Sequence, residues 1–431
     1  MKDSDPDGFR WSEIAETVGR LEELLARLPG GVAAELRLKI ATLRTLVLER
    51  RPPALVLVGR RGSGKSSLVN ALFGARVADV GHVRARTGRG RWFDFTSPLG
   101  TMAILDTRGV QEGSAPEEAD EAPTPLASIL EELRTKAPDA ILFLVKAGEV
   151  DAAIDGDLDA LAAMLAEMKA AHGIRPPVIG VVTHCDLLEP KNVKLHDEAN
   201  EDPAEYAEKR ARVAEAERAL RTKLEAREDV RSEIAPTLGI SSYLSFRADG
   251  TVRDDERWRI DSLVRALFQE VPDQGKVTLV RIARVRALQN DLATTLTRAT
   301  AGIAAGVALT PIPVADVVPI SSLQVCLVAS IAWIGGRNLD GKAALEFLTA
   351  LGIHAGAAFV FREAARALVK FVFPGAGGAV SAAVAFGGTY AIGAAAKAYF
   401  IHGATPEEAR RAYDDARRDR DRDDDHDPRE D

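Results

Sequence analysis

Residues 55–73 read LVLVGRRGSGKSSLVNALF: an apolar run, a glycine-rich turn and then a helical pattern. That order decides the fold. Gly59, Gly62 and Gly64 let the backbone take positive φ and turn its N–H groups inward, so the turn and the helix start after it form a cradle for an anion. Lys65 is placed to reach the β- and γ-phosphates of a nucleoside triphosphate. The hydroxyl of Ser66 is placed to ligate a Mg²⁺ ion that bridges phosphate oxygens. The residues expected around the phosphates are therefore Gly59, Arg60, Arg61, Gly62, Ser63, Gly64, Lys65, Ser66 and Ser67. So short a pattern can arise by chance, but a strand before it and a helix after it are the context that confirms it.

Working outward, apolar runs alternate with helical stretches from 54 to about 270: ALVLVG, WFDF, TMAILD, AILFLV, PVIGVVT and APTLGIS. The alternation predicts an α/β domain over 53–272, a doubly wound, mostly parallel sheet with helices on both faces. A helical insertion is expected near 189–232, where a run of Ala, Glu, Lys and Arg reads most simply as a solvated helix face. Ahead of the sheet, residues 1–52 carry leucines at helical spacing around an LPGG break at 28–31, a helical hairpin that packs either on the nucleotide domain or on the C-terminal helices.

Beyond 272 the composition changes, and 273–412 reads as an all-helical, Ala/Gly-rich domain. Between Ala299 and Gly336 the only charged residue is Asp316, and from Phe371 to Ala396 there is none. Both stretches, 299–336 and 371–396, are long enough to span a bilayer. Against this, Pro311, Pro313 and Pro319 interrupt the first, and Ala and Gly insert weakly; Gly378, Gly387, Gly388 and Gly393 suit close helix packing, in a membrane or in a tight bundle. Residues 413–431 lack apolar side chains after Ala416 and read as a disordered charged tail.

The chain has 431 residues, 46% of them hydrophobic, which excludes a mainly disordered protein and suggests two or three units. Its net charge of −8 gives no support for a nucleic-acid partner. Two cysteines, Cys185 and Cys326, exclude a disulfide framework, and the polar start MKDSDPDGF carries no secretory signal. The expected location is the cytosol or the cytoplasmic face of a membrane.

The remaining nucleotide motifs follow in order. TMAILDTRG at 101–109 is an apolar strand ending in Asp-x-x-Gly, where Asp106 can hold Mg²⁺ through water and the Gly109 N–H can touch the γ-phosphate. In the intervening loop GHVRARTGRGRWFDF, Thr87 is the candidate switch residue, its hydroxyl closing over the metal and the γ-phosphate. Arg84, Arg86, Arg89 and Arg91 would draw that loop toward phosphate. Lys65, Thr87 and Gly109 are the expected catalytic contacts. VIGVVTHCD at 178–186 ends a strand in Thr183, His184 and Asp186. A carboxylate there can accept both N1–H and the exocyclic amine of guanine, a pairing adenine cannot make. His184 stands where a lysine is usual, so flanking the base would pass to an imidazole; a metal-ligand role lacks a second His or Cys at suitable spacing apart from Cys185. GISSY at 239–243 places Ser241 and Ser242 where backbone N–H groups meet the guanine O6.

On GRRGSGKSS, Thr87, DTRG, THCD and ISSY, residues 54–270 resemble the Era-like branch of small GTP-binding proteins. The C-terminal part, with LTPIPVADVVPISSLQV and FPGAGGAVSAAVAFGGTYAIGAAAKAYFIHG, is similar to a bacterial domain of unknown function found in YcjF-type inner-membrane proteins. The resemblance implies a Mg²⁺-dependent GTPase that binds GTP and GDP at the cytoplasmic face of the inner membrane. Two departures matter. Val110 follows Gly109, and Gln111 lies one place beyond the position from which Ras-like proteins orient water, which implies slow hydrolysis; Gly62 replaces the asparagine of potassium-activated relatives. Arg108 reads as an exposed, ion-paired arginine rather than as a cis arginine of catalysis. The competing readings are a dynamin-like scaffold that self-associates under nucleotide control, and an ATPase with Asp186 off the base.

Overall fold

The structure is a computed structural model that describes residues 11–25, 30–78, 91–106, 125–151, 154–309, 320–337, 344, 347–348, 351 and 377–424. The chain divides into two compact units. One comprises residues 51–283; the other is assembled from residues 1–50 and 284–431.

The helical unit begins with α1 (Trp11–Leu25) and α2 (Gly30–Leu43), the expected hairpin, followed by a wider turn over Arg44–Leu48. The unit of residues 51–283 then runs β1 (Ala54–Val58), α3 (Lys65–Phe73), β2 (Arg91–Ser97), β3 (Gly100–Asp106) and α4 (Pro125–Thr135). It continues with β4 (Ala140–Lys146), α5 (Asp155–His172), β5 (Val178–Thr183), α6 (Pro203–Glu225) and β6 (Ile234–Gly239). A hairpin of β7 (Leu244–Phe246) and β8 (Val252–Asp255) leads to α7 (Ile260–Glu270) and α8 (Asp273–Ala283). The helical unit resumes with α9 (Arg286–Leu309), α10 (Ile320–Ile334), α11 (Gly377–Phe400) and α12 (Pro406–Asp424).

Six strands form the main sheet in the order β2-β3-β1-β4-β5-β6. Every pair is parallel except β2 with β3, which turn on each other through Pro98 and Leu99. The six apolar runs of the sequence are these six strands. Parallel strands are covered by helices on both faces, so they appear as unbroken apolar runs rather than alternations; all five residues of β1 are buried. One face carries a core of Val56, Ile141, Phe143 and Val182 under Leu161, Met164 and Leu165 of α5 and Leu220 and Leu224 of α6. At the amino-terminal edge, the carboxylate of Asp139 accepts from the Arg51 guanidinium and, at 2.8 Å, from the backbone N–H of Ala54. This charge-assisted fork ties the start of β1 to the start of β4.

In the helical unit the glycines and alanines act by letting helices approach. A Cβ on Gly393 of α11 would lie 2.3 Å from Cγ2 of Thr297 on α9, and one on Gly306 of α9 would lie 2.5 Å from Leu36 on α2. Of the two places open to the N-terminal hairpin, it therefore packs on the C-terminal helices. Polar groups cross-link the bundle: the buried Gln289 Nε2 donates to the Ile334 carbonyl at 2.8 Å, and the half-buried Lys397 Nζ to Thr294 Oγ1 at 2.9 Å.

Among the described residues no helix is long and apolar enough to cross a membrane; residues 310–319 and 371–376 of the two stretches lie outside them. Within 299–336 the described part is the end of α9 and the 15-residue α10, and α11 is 24 residues long but dilutes its apolar content with Gly and Ala, which contribute little to insertion. The expected unstructured tail is instead helical through Asp424, with Arg410 and Asp414 paired at 3.5 Å and Arg418 and Asp415 at 3.8 Å. Opposite charges at i,i+3 and i,i+4 favour a helix even where apolar residues are absent. Its first turns are docked through Ala409 and Tyr413 on Leu351 and Ala395.

Candidate functional site

In an open α/β sheet, ligands bind outside the carboxyl ends of the strands where the strand order reverses. The order β3-β1-β4 puts that point at the end of β1, where the glycine-rich turn begins. Gly59 sits against the neighbouring strand so closely that a Cβ there would lie 2.4 Å from the Leu144 carbonyl oxygen. Gly64, at φ +89°, ends the turn and starts α3. With both glycines in place, the N-terminus of α3 faces the same edge and favours an anion through the helix dipole. The Lys65 side chain is buried and curls over the turn, donating to the carbonyls of Gly59 at 2.5 Å and Arg60 at 3.0 Å. A phosphate oxygen is a stronger acceptor than either carbonyl. Arg60 is turned aside, its Nε donating to the buried carboxylate of Asp157 at 2.8 Å. Ser66 and Ser67 are half-buried in the first turn of α3, Arg61 and Gly62 are exposed, and Ser63 is buried.

Strand register brings the other motifs to this edge. Asp106 pairs with Leu57, so the chain leaves β3 beside the turn. Thr183 pairs with Lys146, which itself pairs with Glu149 at 3.0 Å. Gly239 pairs with Val182, setting the 241–242 loop beside the 184–186 loop. Thr87, Gly109, Arg84, Arg86, Arg89, Arg108, Val110 and Gln111 lie outside the described residues, and of Asp106 only the backbone is described. Arg91 opens β2 on the solvent side.

The 183–186 segment is wired to the phosphate turn. The fully buried Thr183 hydroxyl donates to the Ser63 carbonyl at 2.9 Å, and His184 Nδ1 lies 3.0 Å from that hydroxyl. His184 has φ +56°, and its Cε1 lies 3.2 Å from where a Cβ on Gly64 would be. The imidazole thus leans on the phosphate turn. Burial lowers its pKa, and Lys146 adds to this while Asp186 and Glu149 oppose it. A folded-state pKa below the ordinary value of about 6.5 means the unfolded chain takes the proton first, so stability present above that value is lost as pH falls through it. His184→Gln should flatten that acid-side loss in a pH series of thermal melts. An unchanged slope would separate the loss from His184. The neighbouring Cys185 thiol is pushed up to about 12, chiefly by burial, and is unreactive by the same cause.

Ser241 and Ser242 are both buried, and Ser241 exchanges backbone hydrogen bonds with Trp258 at 3.0 and 3.1 Å. Sequence reasoning overlooked two charged residues on α6. Lys209 is fully buried and donates to the carbonyls of Asp186 (2.7 Å), Pro190 (3.1 Å) and Val193 (2.7 Å). Burial lowers its pKa, with the charge of Asp186 opposing. Glu217 accepts from the Gly239 N–H at 2.6 Å and from Arg259 Nη1 at 2.5 Å. The face expected to be solvated is in this part the anchor of two loops. A signal was present, because Lys209 falls on the stripe of Tyr206, Val213, Ala216, Leu220 and Leu224 that α6 buries.

Residues 54–183 match the model of the family described as 50S ribosome-binding GTPase. This segment is a P-loop GTPase domain. No curated protein matches the chain significantly. Among solved structures, a dimerization-deficient mutant of Toc33 from Arabidopsis thaliana is 19% identical over 56% of this chain and 93% of its own, at a TM-score of 0.34. Era in complex with MgGDPNP and a piece of 16S ribosomal RNA is 19% identical over 52% of this chain and 58% of its own, at 0.31. Aquifex aeolicus Era bound to GDP and AlF4⁻ is 17% identical over 61% and 69%, at 0.31. The chain thus spans less than two thirds of the RNA-bound Era.

The donor set suits Mg²⁺ carried in with a nucleotide. Mg²⁺ takes one or two protein oxygens and otherwise phosphate and water. Ser66 at the start of α3 offers such an oxygen, and β3 ends on Asp106 at the same edge. Among the described residues no group of three or more His, Cys, Asp or Glu could hold a metal by itself.

Proposed function

We propose that the GTPase domain binds Mg²⁺–GTP and hydrolyses it slowly to GDP and phosphate, acting as a switch. The observation that carries this reading is the convergence of the glycine-rich turn, Asp106, the 183–186 segment and the 239–242 loop at one edge of the sheet, in that strand order. The turn amides and Lys65 hold the phosphates and offset charge that develops at the γ-phosphoryl group. Mg²⁺ held by Ser66, Asp106 and Thr87 would supply charge neutralisation between the phosphates. Asp186 reads the guanine edge, with Ser241 and Ser242 beside O6. Slow turnover rests on Val110 standing where a water-orienting glutamine is usual.

The reading extends to a membrane-associated role at the cytoplasmic face, of the kind the YcjF-type resemblance implies. It rests on the composition of 299–336 and 371–396 alone, and sedimentation with and without lipid vesicles tests it. For the nucleotide, the deciding experiment is equilibrium binding of fluorescent GDP, GTP and ATP with Mg²⁺ to the wild type and to Asp186→Ala. Removing an acceptor that takes two hydrogen bonds should weaken guanine binding by about 10- to 100-fold. ATP should bind weakly to both proteins. Equal ATP and GTP affinities, or an Asp186→Ala variant with unchanged preference, would remove the guanine assignment.

A further inference from the structure

We propose that α6 is a specificity clamp, in which Lys209 and Glu217 are positioning residues that hold both base-facing loops in the register guanine recognition requires. The proposal rests on the GTP-binding reading above and names how its base site is kept in shape.

An ammonium has three N–H donors, and those of Lys209 meet three backbone carbonyls, one of them that of Asp186 itself. The segment 186–193 is thereby gathered around one buried cation. About 12 Å further along the helix at 1.5 Å per residue, Glu217 holds the N–H of Gly239, two residues before Ser241. Its carboxylate is shared with Arg259, whose guanidinium lies 5.1 Å from the Trp258 ring centre, and Trp258 is the backbone partner of Ser241. Between the two anchors the loops touch: the Cys185 N–H donates to the Ile240 carbonyl at 3.3 Å. A Cβ on Gly239 would lie 2.6 Å from Val213 of α6 and 2.9 Å from Cys185 Sγ, so neither loop can slide along the other.

A helix needed only for packing could present methionine or leucine at 209. A buried charge is costly unless fully hydrogen-bonded, and apolar replacements of buried ionic groups are often neutral or stabilising. What an apolar residue cannot do is fix three carbonyls to one point. The carboxylate of Asp186 needs that fixity, because guanine offers it two parallel donors, N1–H and the 2-amine, whereas hypoxanthine offers only N1–H.

The test compares GDP and IDP affinities, with Mg²⁺, for the full chain carrying Lys209→Met, Glu217→Gln or Leu220→Ala. Leu220 lies on the same helix and is fully buried in the core under the sheet, so its truncation controls for lost stability. The wild type should prefer GDP by about 10-fold or more, the worth of one hydrogen bond to a charged group. Lys209→Met and Glu217→Gln should each pull that ratio toward one, while Leu220→Ala lowers the melting temperature and keeps it. Should Lys209→Met fail to fold, the half-buried Glu217 still decides the matter. Wild-type ratios in the folded variants, or an equal loss in Leu220→Ala, would overturn the clamp and leave the GTP reading standing. A wild type that binds neither GDP nor IDP would overturn both.

Discussion

On the proposed reading, replacing Lys65 by alanine should lower the affinity for Mg²⁺–GTP by about 100-fold, since a hydrogen bond to a charged group contributes roughly 1.5–3 kcal/mol and this ammonium would face two phosphates. The side chain is 8% exposed and lies over the turn, so the loss is one of charge at a fixed place rather than of a mobile tail. A thermal-shift titration reads it without catalysis. At a GTP concentration 100 times the wild-type Kd, bound ligand stabilises the wild type by about 2.7 kcal/mol, while a variant with 100-fold weaker affinity gains about 0.4 kcal/mol. Nucleotide-free melting should change little, because the two carbonyls released, Gly59 and Arg60, sit in a turn that water reaches. A variant whose nucleotide-dependent shift equals that of the wild type would show that phosphate is held elsewhere.

The second large effect belongs to the helical unit. Gly393→Val should destabilise it by about 3 kcal/mol, the upper end of what overpacking a filled core costs. The added carbon would meet Thr297 at 2.3 Å, and Thr297 is buried with its hydroxyl donating to the Ala293 carbonyl at 2.7 Å, so it has no free rotamer to yield. Gly387 and Gly388 of the same helix face open space. Gly387→Ala should therefore stabilise by about 0.5–1 kcal/mol through helix propensity alone. Opposite shifts of the denaturant midpoint, measured by circular dichroism, are the expected pair. Equal shifts would mean that α9 and α11 do not meet at Gly393.

The glycine-rich turn and the six strands were legible because each is written in local sequence: glycines where backbone approaches backbone, and apolar runs where both faces are covered. The β7–β8 hairpin was not. Every residue of Val252–Asp255 is on the exposed side and half are acidic, and the pairing is decided by the Arg247–Gly250 turn rather than by burial. Lys209 was hidden for a related reason. Composition counts it among solvated charges, and only its position on the stripe of α6 shows that it points inward. The part of α12 beyond Tyr413 escaped because its order comes from paired Arg and Asp rather than from an apolar face. The places of His184 and Asp186 on the chain were readable. The lean of the imidazole on Gly64 was not, since it depends on a left-handed residue at 184 that no glycine or asparagine announces.

The helical unit is built from two stretches with the whole GTPase domain between them, and this fixes the order in which a growing chain can fold. Helix α2 finds its cover in α9, with Leu36 against Gly306 and Lys39 against Gly302. At synthesis rates of about 5–20 residues per second, those partners emerge roughly 10–50 s after α2 does. For that interval Leu36, buried in the finished unit, waits without its α9 cover while the sheet condenses behind it. The hairpin is made before the domain that interrupts its unit and is completed after it, so a folding chaperone present during synthesis has a long-lived target in α2.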